Sequence, residues 1–330
     1  MDNKDSFAHR TQGGRFTIGT NEDSGTRGFI EVDGDMLILT DKNLYKLKLP
    51  DSTDPNRKNP NIPASQQKII SYGSEDPIVG RTLQQAKTLF EQHALSDHVD
   101  TKKALSLAMA FLKEIISLTD LENEYKKIEQ ELNKSFNGEL EKDYSLHIPT
   151  INDIEQRLKK FINGVNQSHK CIMGMAQLFY PDIPKEQWNT KLKEEIIKEF
   201  NKEHQCVLFL ESVEDWIRLM RELRNEAEHS LDSKKLTITN YELKDTGRVH
   251  PPTISFSHKD VPLPTERIID FMSSSIENSL LCFELLMAHL CTIHAQTFTG
   301  DKRIVIEVPA DKRESNMPFV RFRYDILWTK

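Results

Sequence analysis

The chain is poor in the residues and motifs that carry cross-links and cofactors. Its 330 residues include only four cysteines, far apart and in no C-x-x-C pair, so neither a disulfide framework nor a zinc ribbon is indicated. Neither G-K-[ST] nor G-x-G-x-x-G occurs, which excludes a P-loop and a dinucleotide fingerprint. G-x-S-x-G and H-E-x-x-H are absent as well. We therefore expect no cofactor and no metal.

Positive charge is not in excess, and long apolar runs are scarce. The chain has 44 Lys and Arg against 51 Asp and Glu, a net charge of −7, which argues against wrapping long duplex nucleic acid. A small basic pocket for a single strand remains compatible with this total. The polar start at Met1–Asp5 is followed by no apolar core of a signal peptide. The most apolar stretch, 276–293, is interrupted by Glu277 and Glu284 and is typical of a buried helix. We expect a cytoplasmic protein with no membrane span.

Local patterns divide the chain into a short β-rich part and a long helical part. Residues 1–50 are punctuated by glycines and predict a small β meander. Asp33 and Gly34, between two hydrophobic runs, are a signal for a two-residue hairpin turn. Prolines and small polar residues in 51–75 predict a linker.

Helical periodicity dominates 76–330, for which we expect one mainly α domain. Thr119–Glu122 has the form of a capping box that would divide a long helix, and both one helix and two remain open. Period-two patterns predict a β-hairpin inserted at 234–258 and short C-terminal strands at 302–328. Between them, a long last helix is expected from about 265 to 294.

One amphipathic helix leads into the most informative residues of the chain. Ser212 and Asp215 are suitably placed to cap its start. Its apolar stripe consists of Val213, Trp216, Met220, Leu223 and Ala227.

Arg224, Asn225 and His229 follow that stripe. An arginine fork binds phosphate, and an imidazole titrates near neutral pH. The C-terminal end of a helix and the carboxylates of Glu226 and Glu228 favour the charged form of His229. At about 100° per residue, Arg224 lies roughly 140° around the helix axis from His229. The two side chains therefore converge only if the helix ends near Glu228 or if a second subunit contributes.

These three residues match the R-polar-x-x-x-H signature of HEPN domains (higher eukaryotes and prokaryotes nucleotide-binding), and the chain resembles that family over its helical region, about 77 to 296. The β-rich segments lie outside the minimal pattern. The resemblance implies a HEPN-like helical bundle and a metal-independent endoribonuclease that cleaves single-stranded RNA in a toxin–antitoxin or anti-phage setting. It also implies a homodimer with two facing motifs, and an antitoxin or regulatory partner.

The resemblance assigns a role to each motif residue. His229 would act as general base or acid in the attack of a ribose 2′-hydroxyl on the adjacent phosphorus. Arg224 would hold the phosphate, and Asn225 would orient the phosphate or the histidine. The expected site comprises Arg224, Asn225 and His229, with possible support from Glu222, Arg221 and Arg218.

Two other interpretations stay open. The first is a non-catalytic HEPN-like module that binds a nucleotide, RNA or a partner protein. The second is a structural helical scaffold, in which Arg224 and Glu228 form an ordinary i,i+4 ion pair and His229 caps the helix.

Two further groups of residues have simpler explanations. The sequence places His289, Cys291 and His294 in an apolar helix without a fourth ligand, which favours a buried histidine and thiol over a metal site. The alternation of basic and aromatic residues in Phe319–Tyr324 is compatible with RNA stacking, although a charged edge strand is the favoured interpretation.

Overall fold

A computed structural model describes residues 18, 19, 23, 25–91, 93–136, 145–228, 235–297 and 302–327. About half of the protein is helical, and the rest includes small antiparallel sheets, so the fold is mixed or mainly helical. The chain forms two compact units. The first unit is Met1–Met109 with Cys291–Lys330, and the second unit is Ala110–Leu290.

The described helices and strands are numbered in chain order. The helices are α1 (Pro50–Thr53), α2 (Pro77–Val79), α3 (Gln85–Leu89), α4 (Thr101–Ser135), α5 (Ile154–Phe179), α6 (Trp188–Glu199), α7 (Gln205–Glu228) and α8 (Ile268–Ile293). The strands are β1 (Thr26–Val32), β2 (Asp35–Thr40), β3 (Leu44–Lys48), β4 (Ser65–Ile70), β5 (Lys235–Thr239), β6 (Glu242–Leu243), β7 (Val249–His250), β8 (Thr253–Ser257), β9 (Leu263–Arg267), β10 (Lys302–Glu307) and β11 (Phe322–Leu327).

A four-stranded antiparallel sheet, in the order β1-β2-β3-β4, begins the first unit. The predicted two-residue turn is confirmed, because Asp33 and Gly34 have positive φ angles of 52° and 76° and join the paired strands β1 and β2. Ile38, Tyr45 and Leu47 are buried on this sheet. Strand β4 lies within the segment expected to be a linker. Its polar, mostly exposed sequence gives no hydrophobic strand signal, and pairing with β3 holds it.

The same unit contains a hairpin of β10 and β11 that is fastened to α3 by one buried glutamine. The Gln85 Nε2 donates to the Phe322 carbonyl oxygen at 2.8 Å, and its Oε1 accepts the Phe322 N–H at 2.9 Å. Strand β11 begins at Phe322, three residues later than the alternation at 319–324 indicated. The Gln85 side-chain amide hydrogen-bonds to the backbone of Phe322 on the edge of β11 that does not face β10. These bonds stabilise the start of β11.

In the second unit, helices α5, α6 and α7 pack with the adjoining parts of α4 and α8 around an aromatic core. Phe111 stacks on Phe283 with ring centroids 4.0 Å apart, and Phe161 meets Phe271 edge-on. Gly164 allows close approach of α5 to α4, because a Cβ there would lie 2.8 Å from the Leu118 Cδ2.

Helix α4 is a single helix of 35 residues, which decides between the two open alternatives. The Thr119 Oγ1 donates to the Ile115 carbonyl oxygen at 2.9 Å, one turn earlier. Its hydroxyl therefore bonds back along a continuing helix and does not cap a new one.

The predicted β-hairpin before the last helix is part of a three-stranded sheet in the order β5-β8-β9. Strands β5 and β8 pair as predicted, with Leu236 opposite Phe256 and Ile238 opposite Ile254. The short hairpin of β6 and β7 lies between them in sequence, and β9 was not predicted.

Helix α7 begins at Gln205, earlier than the predicted start at Ser212. Val207 and Phe209 are buried and extend the apolar stripe towards the N-terminus. The Ser212 Oγ donates to the Phe209 carbonyl oxygen inside the helix. The cap expected at Ser212 was therefore wrong, because an earlier apolar turn had more surface to bury.

Helix α8 is long and apolar enough to cross a membrane by length and composition alone. Within its most apolar window, 61% of the residues are buried inside the protein. Phe283, Leu286 and Met287 are fully buried. These residues give α8 the packing of a core helix.

Candidate functional site

The motif lies at the C-terminal end of α7, where Arg224 binds its own neighbours. The Arg224 Nη2 lies 2.6 Å from the Glu228 Oε2, and its Nη1 donates a long hydrogen bond of 3.4 Å to the Asn225 Oδ1. The Arg224 Nε is buried and has no hydrogen-bond partner among the described residues. With 37% of its side chain exposed and Nη1 weakly engaged, Arg224 retains a donor for an oxyanion.

The two motif glutamates point in different directions. Glu226 is buried, with 8% of its surface exposed, on the same side of α7 as Leu223. Glu228 is exposed and forms the ion pair with Arg224. From the sequence, both carboxylates were expected to favour the charged form of His229. In the structure only Glu228 lies at the surface, whereas Glu226 faces the core. Helical spacing from Leu223 was the available signal that Glu226 faces inward.

The expected supporting residues also have partners in the second unit. The Arg221 Nη1 donates to the Glu186 carbonyl oxygen at 3.3 Å, and its Nε lies 3.6 Å from the Glu222 Oε1. The Arg218 Nη2 lies 2.5 Å from the Asp260 Oδ2. Arg218 and Arg221 remain 40% and 49% exposed, so these contacts leave both guanidinium groups at the surface.

His229 lies outside the described residues, which stop at Glu228 and resume at Lys235. The structure brings Arg224 and Asn225 together. Helix α7 is continuous through both residues, so the position of Arg224 relative to the helix axis is that expected for a regular helix. The joint role of Arg224 and His229 stays a prediction.

A buried histidine–tryptophan pair in the second unit was not singled out from the sequence. His169 of α5 and Trp216 of α7 meet edge-on with ring centroids 4.5 Å apart. The His169 Nε2 and the Trp216 Nε1 are buried without a hydrogen-bond partner among the described residues. Burial lowers the pKa of His169 to about 4. Its position on the inner face of α5, four residues after Val165, was the signal that placed it in the core.

A second polar cluster in the same unit joins α4 to strand β9. The Arg267 Nη2 lies 2.5 Å from the Glu129 Oε1, and only 6% of the Glu129 side chain is exposed. Burial and the Glu129 carboxylate raise the pKa of Tyr241 to about 12, and they also raise the pKa of Tyr125. The Tyr241 hydroxyl donates to the Asn133 Oδ1 at 2.8 Å. No sequence pattern connected residues this far apart in the chain.

His289 and Cys291 of α8 and His294, the first residue after α8, have separate neighbours. His289 packs against Phe209 with ring centroids 5.2 Å apart, whereas His294 meets the ring of His98. Burial raises the pKa of the Cys291 thiol. Across the described part of the chain, no group of three or more His, Cys, Asp or Glu is arranged to hold a metal ion.

The Arg321 side chain near the C-terminus makes its contacts within its own hairpin. The Arg321 Nη2 lies 2.9 Å from the Glu307 Oε1, and the guanidinium carbon is 5.4 Å from the centroid of the Phe322 ring. Val320 and Phe322 are buried. The aromatic ring at Phe322 is thus committed to packing, and it does not offer a surface on which a base can stack.

Comparison of the chain with protein-family models, with curated proteins and with solved structures finds no match. The functional interpretation therefore depends on the residues at the end of α7 and their contacts.

Proposed function

We propose that this protein is a HEPN-like endoribonuclease that cleaves single-stranded RNA without a metal ion. The observation that carries the proposal is the placement of Arg224 and Asn225. Their polar groups adjoin at the C-terminal end of an amphipathic helix, directly before His229, in a predominantly helical unit. In phosphoryl transfer to a 2′-hydroxyl, a cation can hold the phosphate, an imidazole can transfer the proton, and an amide beside them can orient either group.

In the proposed reaction, His229 accepts the proton of the ribose 2′-hydroxyl as its oxygen attacks the adjacent phosphorus. The bond from phosphorus to the 5′ oxygen breaks, and that oxygen takes a proton from a second acid. The products are a 2′,3′-cyclic phosphate and a free 5′-hydroxyl. Arg224 binds the non-bridging oxygens, whose negative charge is concentrated in the transition state, and the Asn225 amide orients the phosphate.

A homodimer is part of this proposal. Helix α7 is regular through Glu228, and on a regular helix Arg224 and His229 lie roughly 140° apart. A second copy that faces the first would bring two Arg224 side chains and two His229 imidazoles into one cleft, where one imidazole acts as the base and the other as the acid. Bidentate binding of phosphate opens the Arg224–Glu228 ion pair, because that pair occupies Nη2 and leaves only Nη1 for an oxyanion.

The test is cleavage of single-stranded RNA by the purified chain in EDTA, with the ends of the products analysed for 2′,3′-cyclic phosphate. His229→Ala should abolish cleavage. The control is His250→Ala, which removes an exposed histidine on β7 and should leave cleavage unchanged. Cleavage that persists in His229→Ala at the rate of the unmodified protein would overturn the proposal.

The Arg224–Glu228 contact also supports a competing interpretation, a helical scaffold whose motif only stabilises the end of α7. Under that interpretation neither Arg224→Ala nor His229→Ala changes RNA binding, because the unmodified chain binds no RNA. RNA that is bound through Arg224 and left intact would instead indicate a non-catalytic binding module. Electrophoretic mobility shift with intact RNA distinguishes these outcomes.

A further inference from the structure

A cleft of about 640 Å³ lies in the first unit, between strand β1 and the first turns of α4. Phe29 and Glu31 of β1 line one side, Lys102, Lys103 and Leu105 line the other, and Lys87 also contributes. The cleft is separate from the motif of α7, and its use does not depend on the chemistry proposed there.

Strand β1 presents an open edge to this cleft. It is the end strand of its sheet and pairs with β2 through Val32 opposite Asp35 and Ile30 opposite Leu37. Next to a two-residue turn, these are the hydrogen-bonded pairs, so the N–H and C=O groups of Phe29 and Glu31 point away from β2. Within the described residues, these groups have no backbone partner on the open side.

Three lysines (Lys87, Lys102 and Lys103) and three carboxylates (Glu31, Asp33 and Asp100) line the cleft beside Phe29, which is 49% exposed. Two of the carboxylates already accept hydrogen bonds within the cleft, Asp33 from the Ser106 hydroxyl and Asp100 from the Lys103 N–H. In the part of the chain that the structure describes, neither Lys87 nor Lys103 forms an ion pair, and the Lys102 Nζ has only a 3.9 Å contact with the exposed Glu31. The Lys87 Nζ lies over the β1 backbone, 3.3 Å from the position that a Cβ would take at Gly28.

From these observations we propose that the cleft binds an extended acidic peptide, which adds to β1 as a fifth strand. Its backbone would pair with the outward groups of Phe29 and Glu31, and its apolar side chains would pack on the Phe29 ring. Its carboxylates would pair with Lys87, Lys102 and Lys103. Single-stranded RNA fits less well, because it offers no ladder of amides to the strand edge.

The first experiment measures fluorescence anisotropy of a labelled heptapeptide of alternating Val and Glu with the full chain. Strand addition uses only every second amide of the peptide. N-methylation of one alternate set of peptide amides should therefore weaken binding about tenfold or more, while methylation of the other set should leave it intact. Equal loss with both methylated peptides, or no saturable binding of the parent peptide below about 1 mM, would refute strand addition.

The second experiment tests the contribution of the lysines that line the cleft. The double variant Lys87→Glu/Lys103→Glu should weaken the heptapeptide about tenfold, while a Val–Lys peptide should not bind the unmodified chain. The double variant Lys48→Glu/Lys68→Glu places the same charge change on exposed positions of β3 and β4 and should have no effect. A single-stranded oligonucleotide that binds with the same dependence on Lys87 and Lys103, and that displaces the peptide, would identify RNA as the occupant and overturn the peptide proposal.

Discussion

The Arg224 Nη2 and the Glu228 Oε2 lie 2.6 Å apart, one turn from each other on α7. About a third of each side chain is exposed, at 37% and 32%. An ion pair at this exposure contributes little to stability, about 0.3–0.5 kcal/mol for an i,i+4 pair. Its effect on function is different, because the same guanidinium edge is needed for phosphate.

The variant Glu228→Gln should strengthen RNA binding roughly twofold, since Arg224 no longer loses the energy of the ion pair when phosphate binds. The free energy of unfolding should change by less than about 0.5 kcal/mol. Binding is measured by anisotropy with a labelled RNA that cannot be cleaved because it carries 2′-O-methyl groups. Glu194→Gln removes a comparable exposed ion pair with Lys191 on α6 and should not alter RNA binding. Weaker RNA binding in Glu228→Gln would contradict the role given to Arg224.

The variant Arg224→Lys keeps the charge and removes the planar fork. If Arg224 stabilises the transition state through two donors, cleavage should fall roughly 10²-fold while RNA binding falls only a few-fold. Single-turnover cleavage and anisotropy measure the two quantities separately. Arg248→Lys, in an exposed turn between β6 and β7, is the matched control. An equal loss of binding and cleavage would mean that Arg224 only docks the RNA.

Local signals predicted the elements whose shape is set by neighbouring residues. Asp33 and Gly34 specify their own turn, because both adopt a positive φ that few other residues tolerate. The last helix was predicted at 265–294 and is observed at Ile268–Ile293. Its long apolar pattern is sufficient to define it.

Elements that depend on distant partners were missed or misplaced. Thr119 has the sequence of a cap, yet it lies inside a continuous helix. Buried residues before and after it, Leu118 and Tyr125, keep the helix intact and override the local capping signal. Strand β4 is polar, and its strand conformation depends on antiparallel pairing with β3. The contact of Arg267 with Glu129 joins residues 138 positions apart, which no periodicity reveals. In the motif, the sequence indicated the Arg224–Glu228 pair as one alternative, whereas the burial of Glu226 was not predicted, although its helical spacing from Leu223 was a signal for it.

His169 should make stability depend on pH. Its pKa in the folded protein is about 4, below the ordinary value of 6.5, so between these values the unfolded chain binds the proton and the folded chain does not. This contribution to stability is complete above about pH 6.5 and decreases, by at most about 1.4 kcal/mol per pH unit, as the pH falls towards 4. Urea unfolding at pH 7.0 and 5.0 measures this effect. Between these two pH values, the free energy of unfolding should fall less in His169→Phe than in the unmodified protein. The exposed His250→Phe serves as control and should leave the pH dependence unchanged.

The contact between Glu129 and Arg267 should be revealed by removing one partner at a time. The Glu129 side chain is only 6% exposed, so Arg267→Met leaves a buried carboxylate without its cation. We expect the free energy of unfolding to fall by about 2–3 kcal/mol, at the lower end of such effects because Arg267 itself is 47% exposed. The double variant Glu129→Gln/Arg267→Met should recover most of this loss, since the remaining amide carries no charge to desolvate. Urea denaturation of Arg267→Met, of Glu129→Gln and of the double variant measures the coupling free energy between the two side chains. Equal destabilisation in Arg267→Met and in the double variant would show that Arg267 acts through packing of its aliphatic stem and not through charge.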